Sequence, residues 1–223
     1  REDPLGVPHA DPLEVDLNSR MRRVGALFLA SVLAPAVLFA DPSPDLSPRA
    51  GVLIVAHGGT NRWDGMVRKA VKRAKLKGPV EVALGMGMHS HEVAAFQDAV
   101  NHLEHRGVGR IVVVPLLASS HSDVYRQFEY LFGLRNDASW PDVQPLRLDV
   151  PAVIGPALDA DPVVGAILLE RAQALSRQPE EETVILLAHG PNEEADNEQW
   201  LGNMRQLEGA IKSGGGFHEV LSL

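Results

Sequence analysis

Histidine is the residue type in this chain whose placement points most directly to chemistry. His57 follows the apolar run Val52–Val55 in GVLIVAHGGT, and His121 follows a second apolar run in VVVPLLASSHSDV. If both runs are neighbouring parallel strands, both imidazoles leave the sheet at its carboxyl edge, where open α/β sheets bind ligands. Neutral imidazoles are good ligands for divalent transition metals. The pair therefore predicts a shared metal site, against the alternatives that His57 only satisfies a carbonyl and that His121 is an incidental surface residue.

Four other histidines are weaker candidates. His89 and His91 follow the second apolar segment in GMGMHSHEV, and they share one face only if that segment is extended. At a helix start the same two rings would diverge. His102 and His105 belong to a predicted helix whose apolar stripe lies elsewhere, so we expect both to be solvated.

Composition limits the class of protein. The chain has 223 residues and is 45% hydrophobic, which is enough for one or two globular domains. Its net charge of -8 argues against a general nucleic-acid binder, which needs a basic face. The sequence contains no cysteine, which excludes disulfides, thiolate zinc sites and cysteine nucleophiles. Metal chemistry must therefore use the nine histidines and the carboxylates.

Two other chemistries are poorly supported. SSHSD contains Ser, His and Asp, but adjacent residues seldom form a catalytic triad and no G-x-S-x-G motif is present. A hydrolase using Ser120 or Ser122 is the weakest alternative that stays open. Gly58 and Gly59 precede a helix, yet the chain has neither G-x-G-x-x-G nor a G-K-[ST] ending, so a phosphate-binding loop is not indicated.

The order of predicted elements indicates an α/β protein. Nearly all-apolar strands alternate with amphipathic helices, which predicts a parallel sheet covered by helices on both faces. Strands are predicted from Val52 to Val55 and in PVEVALGMGM, RIVVVPLL and ETVILLAHG. Helices are predicted from Trp63 to Lys77, from Glu92 to Arg106, from about Asp123 to Gly133, and in DADPVVGAILLERAQAL.

The N-terminal region does not show the alternation of strands and helices that the rest of the chain shows. MRR at 21–23 precedes an apolar run from Val24 to Ala40 and a Pro/Ser/Asp linker. This is typical of an export signal. A retained membrane anchor and an ordinary buried helix are the alternatives. The expected localisation is exported or periplasmic if the signal is real and cytoplasmic otherwise, with membrane association only if the apolar segment is retained.

An internal repeat divides the remaining chain. VLIVAHG at 52–58 returns as VILLAHG at 184–190, which predicts two similar halves. Only 34 residues follow His189, too few for another three-strand unit. We therefore expect an N-terminal extension at 1–48, one full lobe at 49–150, and a junction with an incomplete second lobe at 151–223. His189 either lines a cleft from the second half or is a relic of the repeat.

LIVAHGG and VVVPLLASSHSDV together resemble the class II tetrapyrrole chelatases of the sirohydrochlorin cobaltochelatase and ferrochelatase type. The resemblance covers about residues 51–165, and LLAHGPN resembles the start of the second half. It implies flavodoxin-like lobes with the macrocycle in the cleft between them. It also implies that His57 and His121 bind the incoming metal.

The resemblance defines the expected reaction and its site. It implies a lyase that inserts cobalt, ferrous iron or nickel into sirohydrochlorin or a related tetrapyrrole, without an organic cofactor. Substrate contacts are expected from residues near the two histidines: Gly58, Arg62, Ser119 and Ser120. Arg62 belongs to a run of seven cations and suits a carboxylate of the macrocycle.

Two departures from the family pattern affect the expectation. Several members have a glutamate just after the second strand, about where Met86 stands here, so Glu92 or His89 would have to compensate. Because the second half is short, one side of the cleft is incomplete unless two chains form a homodimer. The competing hypothesis is an exported metal-binding protein that kept the histidine pair and lost catalysis.

Overall fold

The computed structural model describes residues 49–86, 90–136, 140 and 143–223. The predicted N-terminal extension at 1–48, with its signal or anchor segment, lies outside the described residues, and so does His89. Within the described ranges, no helix has both the length and the apolar character needed to cross a bilayer.

A four-stranded parallel sheet forms the larger part of the described chain. Its strands are β1 (Ala50–Ala56), β2 (Val80–Leu84), β3 (Arg110–Pro115) and β4 (Ala152–Ile154), in the spatial order β2-β1-β3-β4. Three of the strands were predicted; β4 was not, since only three residues form it. The parallel α/β prediction is confirmed, and β4 extends the first sheet just past the expected junction at residue 150.

Helices connect the strands and cover the sheet. They are α1 (Asn61–Ala74), α2 (Ser90–His105) and α3 (Asp123–Leu131). Because parallel crossovers are right-handed, α1 lies on one face and α2 and α3 lie on the other. The core of the second face combines strand residues such as Leu53 and Val113 with Phe96 and Leu103 of α2 and Phe128 of α3, all with no exposed surface.

Helix α1 packs less deeply than its sequence pattern predicts. Of the expected apolar stripe, Val67 is buried and Val71 is half-buried, whereas Ala70 and Ala74 are exposed. Thr60 caps the helix by accepting a hydrogen bond from the Trp63 amide at 3.3 Å. Most of the surface of α1 is therefore available to solvent.

The second half forms its own small sheet. Helix α4 (Pro162–Leu175) and a short 3₁₀ turn (Pro179–Glu181) lead to β5 (Thr183–Leu186), α5 (Glu194–Gly215) and β6 (Glu219–Ser222). Strands β5 and β6 pair in parallel and pack against α4 and α5 through an apolar cluster centred on Ile211. The order β5-α5-β6 repeats β1-α1-β2, so the repeat seen in the sequence is also a repeat of local structure.

One face of the small sheet is open within the described residues. Ile185 is 56% exposed and Leu187 is 81% exposed, and Leu221 and Leu223 continue the apolar surface on the neighbouring strand. Exposed apolar area of this kind marks surfaces that other elements cover. The expected homodimer stays a prediction.

Candidate functional site

The two strands that carry His57 and His121 are neighbours in the sheet. Val55 of β1 is in register with Pro115 of β3, and the Leu116 amide donates to the Val55 carbonyl at 2.7 Å. His57 follows the last residue of β1 directly, and His121 lies six residues after the end of β3. Both histidines therefore extend from adjacent turns at the carboxyl edge of the sheet, as predicted.

A tight turn holds His57 at this edge. Gly58 has a φ of 78°, and a Cβ added there would lie 3.0 Å from the backbone nitrogen of Gly85, at the end of β2. His57 Nδ1 lies 2.9 Å from the Gly58 carbonyl oxygen. A carbonyl only accepts, so Nδ1 is the donor in this contact. In the neutral form of the ring, Nε2 then holds the lone pair that can bind a metal ion.

The loop between β3 and α3 is fixed by its serines. The buried Ser119 hydroxyl accepts from the His121 amide at 3.0 Å, and Ser122 Oγ donates to the Ser119 carbonyl at 3.2 Å. Ser122 also caps α3 by accepting from the Tyr125 amide at 3.3 Å. The half-buried His121 ring has no hydrogen-bond partner among the described residues. Its nitrogens are thus available to a ligand.

Asp159 connects this loop to the second half of the chain. Its carboxylate accepts from the Ser120 amide at 2.8 Å, from the Ser120 hydroxyl at 2.7 Å and from Asn203 Nδ2 of α5 at 3.2 Å. The Ser120 oxygen in turn accepts from the Ala157 amide at 2.8 Å. Asp159 has a φ of 43°, a left-handed conformation that Asp tolerates better than most residues. The Ser120 hydroxyl is thus engaged within the protein, and its predicted contact with substrate stays a prediction.

Two polar side chains on α3 strengthen the same connection. Tyr125 OH donates to the Gly155 carbonyl at 3.0 Å, and burial, followed by the nearby carboxylates, raises the pKa of Tyr125 above its ordinary value. Arg126 forms ion pairs with Asp123 and with Asp196 of α5. Burial lowers the pKa of Arg126, but these two partners outweigh burial and raise it. Arg126 therefore remains a cation that joins α3 to α5.

An apolar cavity of about 330 Å³ adjoins the His121 loop. Ser119 and Asp159 border it on one side, and α4, β5 and α5 supply Val164, Leu168, Leu186, Trp200 and Met204, among others. A cavity with mostly apolar walls and a few polar groups at its border suits an organic ligand.

His189 repeats the geometry of His57 in the second half. Its Nδ1 lies 2.6 Å from the Gly190 carbonyl oxygen, and Gly190 has a φ of 66°. The His189 ring centroid is 6.0 Å from that of Trp200, which lines the cavity. His189 thus lies beside a residue of the cavity wall.

A carboxylate lies near the end of β2 although Met86 provides none. A Cβ built on Gly85 would come within 3.2 Å of Glu92 Oε1, so the Glu92 side chain lies against the Gly85 backbone. Gly85 in turn contacts the Gly58 turn. The structure therefore places the Glu92 side chain beside the end of β2, next to the residue that adjoins the Gly58 turn.

The remaining candidate residues lie elsewhere or are only partly described. Arg62 is exposed in the first turn of α1 and forms no ion pair with any described residue. His102 and His105 are both exposed, as predicted, and lie toward the end of α2. His91 lies in the first turn of α2, but its side chain lies outside the described structure, as does all of His89.

Sequence reasoning missed Asp159, Tyr125 and Asn203. Asp159 stands in LDADP, where Asp161 is the evident helix cap and accepts from the Val163 amide at 2.8 Å. Nothing local distinguishes the two aspartates, because the partners of Asp159 lie 39 and 44 residues away.

Replacing Gly58 with alanine is expected to destabilise the protein by about 2 kcal/mol, because it adds left-handed strain and a clash with Gly85. Chemical denaturation followed by circular dichroism measures the change. Gly133→Ala is the matched control, since Gly133 has a φ of 70° and open space around the added Cβ. If both variants lose the same free energy of unfolding, the contact of the added Cβ with Gly85 does not contribute to the loss.

A parallel sheet with two histidines at adjacent carboxyl-edge turns, and with the first turn repeated in a second half, is consistent with a chelatase-like protein. The chain belongs to the CbiX family, whose model matches residues 51–175, more than half of the sequence. No curated protein matches the chain. Family membership makes it a metal chelatase of the tetrapyrrole type, within the class II chelatases. The resemblance seen in the sequence is thereby confirmed.

Proposed function

We propose that this protein inserts cobalt, or alternatively ferrous iron or nickel, into sirohydrochlorin or a related tetrapyrrole. In this proposal His57 and His121 bind the incoming ion and accept protons. The observation that supports it best is the placement of the two imidazoles on turns at the ends of adjacent strands. Nε2 of His57 and the ring nitrogens of His121 make no hydrogen bond to any described residue.

The chemistry of insertion matches a site with few ligands. The macrocycle loses two pyrrole protons as the divalent ion enters, so the protein must release the ion and accept protons. Among the described residues, no group of three or more histidine or acidic side chains could hold a metal. Two neutral imidazoles hold a borderline ion less tightly than thiolates and leave coordination positions open. Imidazoles also titrate near neutral pH, which suits proton transfer.

Glu92 is the proposed substitute for the carboxylate that several family members have after the second strand. Its side chain lies against Gly85, which packs on the Gly58 turn next to His57. A carboxylate at this point supports proton removal, either directly or through His57. The position of Glu92 favours it over Met86, whose side chain cannot accept a proton.

The macrocycle is proposed to lie along the carboxyl edge and to extend into the apolar cavity. Its apolar body suits the cavity walls, and Trp200 offers an aromatic surface. Gly58 allows a close approach of the backbone, and Arg62 supplies a positive charge for a carboxylate at the start of α1. Ser119 and Ser120 contribute chiefly by holding the His121 loop.

A spectrophotometric assay tests the proposal. Sirohydrochlorin is mixed with the protein and with cobalt, ferrous iron or nickel, and the change in the absorption spectrum of the macrocycle is followed with time. The rate of this change is compared with the rate without protein. Faster conversion with at least one ion is expected, with cobalt the preferred ion. A protein that binds metal but leaves the spectrum unchanged would instead be a metal-binding protein without catalysis. Turnover of activated esters, insensitive to chelators, would indicate a serine hydrolase.

A further inference from the structure

A dense group of cations begins at Arg62 and extends away from the chelatase site. Seven cations and one acidic residue occur between positions 61 and 77, in a chain whose net charge is -8. Helix α1 begins at the carboxyl edge and runs back toward the amino edge, so its last turn is about 20 Å from its first. A macrocycle at the carboxyl edge can contact Arg62, but it cannot reach the cations at the far end of α1.

Some of these far cations line a shallow groove. The groove follows the outer edge of β2, between α1 and the end of α2, and has a volume of about 410 Å³. We define the basic flank as Arg68, Lys72, Lys75 and Arg106, which line this groove, together with the neighbouring Lys77. All five side chains are exposed.

Most of the charge of the basic flank is not compensated by described residues. Glu81 is the one carboxylate in the groove, and it is shared by Arg106 at 3.5 Å and His102 at 3.9 Å. Arg68 makes only a long contact of 3.5 Å with the Val82 carbonyl oxygen. The lysines of the flank form no ion pair with any described residue. The flank therefore attracts an external partner with negative charge.

We propose that the basic flank docks this protein on an anionic phospholipid bilayer. Three of its five cations are lysines, whose long, flexible side chains suit mobile headgroups. Specific protein interfaces, by contrast, are depleted of lysine. Leu76 lies within the groove and is 45% exposed, so it can enter the headgroup region beside the cations.

Stable attachment to membranes usually needs two weak signals, and the sequence provides a second one. The apolar run from Val24 to Ala40 lies outside the described residues, but it suits a bilayer by its composition. Docking through the flank uses the amino side of the sheet. The carboxyl edge, with His57 and His121, stays open to substrate.

Vesicle co-sedimentation of the full chain tests this proposal independently of the chelatase reaction. The probes are phosphatidylcholine vesicles with and without phosphatidylglycerol, at low and high salt. The wild-type chain is expected to prefer the anionic vesicles, and high salt is expected to remove that preference. The variant Lys72→Gln/Lys75→Gln/Lys77→Gln should bind anionic vesicles roughly 100-fold more weakly. Each cation near an anionic membrane surface strengthens binding by a similar factor, and this variant loses three of them.

The matched control is Arg171→Gln/Arg177→Gln/Lys212→Gln, which removes the same charge from exposed positions in the second half. It should keep at least half of the wild-type binding, and circular dichroism should show that both variants fold. Equal binding to neutral and anionic vesicles, or equal loss in the two triple variants, would overturn the proposal. The proposal would also be overturned if the chain did not bind vesicles but bound an acidic protein through Lys72, Lys75 and Lys77.

Discussion

Alanine at His57 or His121 is expected to reduce the rate of metal insertion by at least about 100-fold, because each variant loses one of the two proposed metal ligands and proton acceptors. Both rings emerge from loops at the end of the sheet, and His57 is exposed, so their loss should change the stability of the fold little. The sirohydrochlorin assay with cobalt measures the rate, and equilibrium dialysis with cobalt measures the loss of metal binding.

His189→Ala is the matched control for His57→Ala. The two histidines share the strand-end position, the contact of Nδ1 with the next carbonyl and the left-handed glycine that follows. His189 lacks a partner comparable to His121, since the second sheet contains only two strands among the described residues. Insertion should therefore survive in His189→Ala. Normal activity in both His57→Ala and His121→Ala would remove these residues from the proposed mechanism.

Asp159→Ala is expected to cost about 2 to 4 kcal/mol of folding free energy and most of the metal-insertion activity. The substitution leaves the Ser120 amide, the Ser120 hydroxyl and Asn203 without their acceptor, and hydrogen bonds to a charged group are among the stronger ones. The loop that carries His121 then loses its link to α5 through Asn203. Chemical denaturation measures the stability, and the insertion assay measures the activity.

Asp161→Ala is the comparison for this variant. Asp161 lies two residues away and caps α4 through the Val163 amide, so its loss should cost about 1 kcal/mol and leave the His121 loop in place. Asp159→Asn should restore part of both properties, because the amide keeps one acceptor oxygen. If Asp159→Ala loses no more stability than Asp161→Ala, the three hydrogen bonds to Asp159 are not important.

The sequence predicted most of the first sheet because its elements have strong local patterns. Val52–Val55 and RIVVVPLL are apolar on both faces, which is typical of parallel strands with helices on either side. Phe96, Val100 and Leu103 recur at helical spacing, and all three are fully buried. The short strand β4 lacked such a pattern, since Val153 is 53% exposed and three residues give no periodicity. Helix α5 and strand β6 were not predicted either. The acidic run after His189 obscures the helical spacing of the apolar residues that pack in the core.

The sequence by itself determined the histidine pair, its place at the ends of two strands and the repeat of the first turn. These features depend on neighbouring residues and on the rule that parallel strands end at one edge. Only the tertiary structure decided that Asp159, Arg126 and Asn203 tie the His121 loop to the second half, and that Glu92 lies against Gly85. Contacts between residues far apart in the chain leave no local pattern, because they depend on how the elements pack.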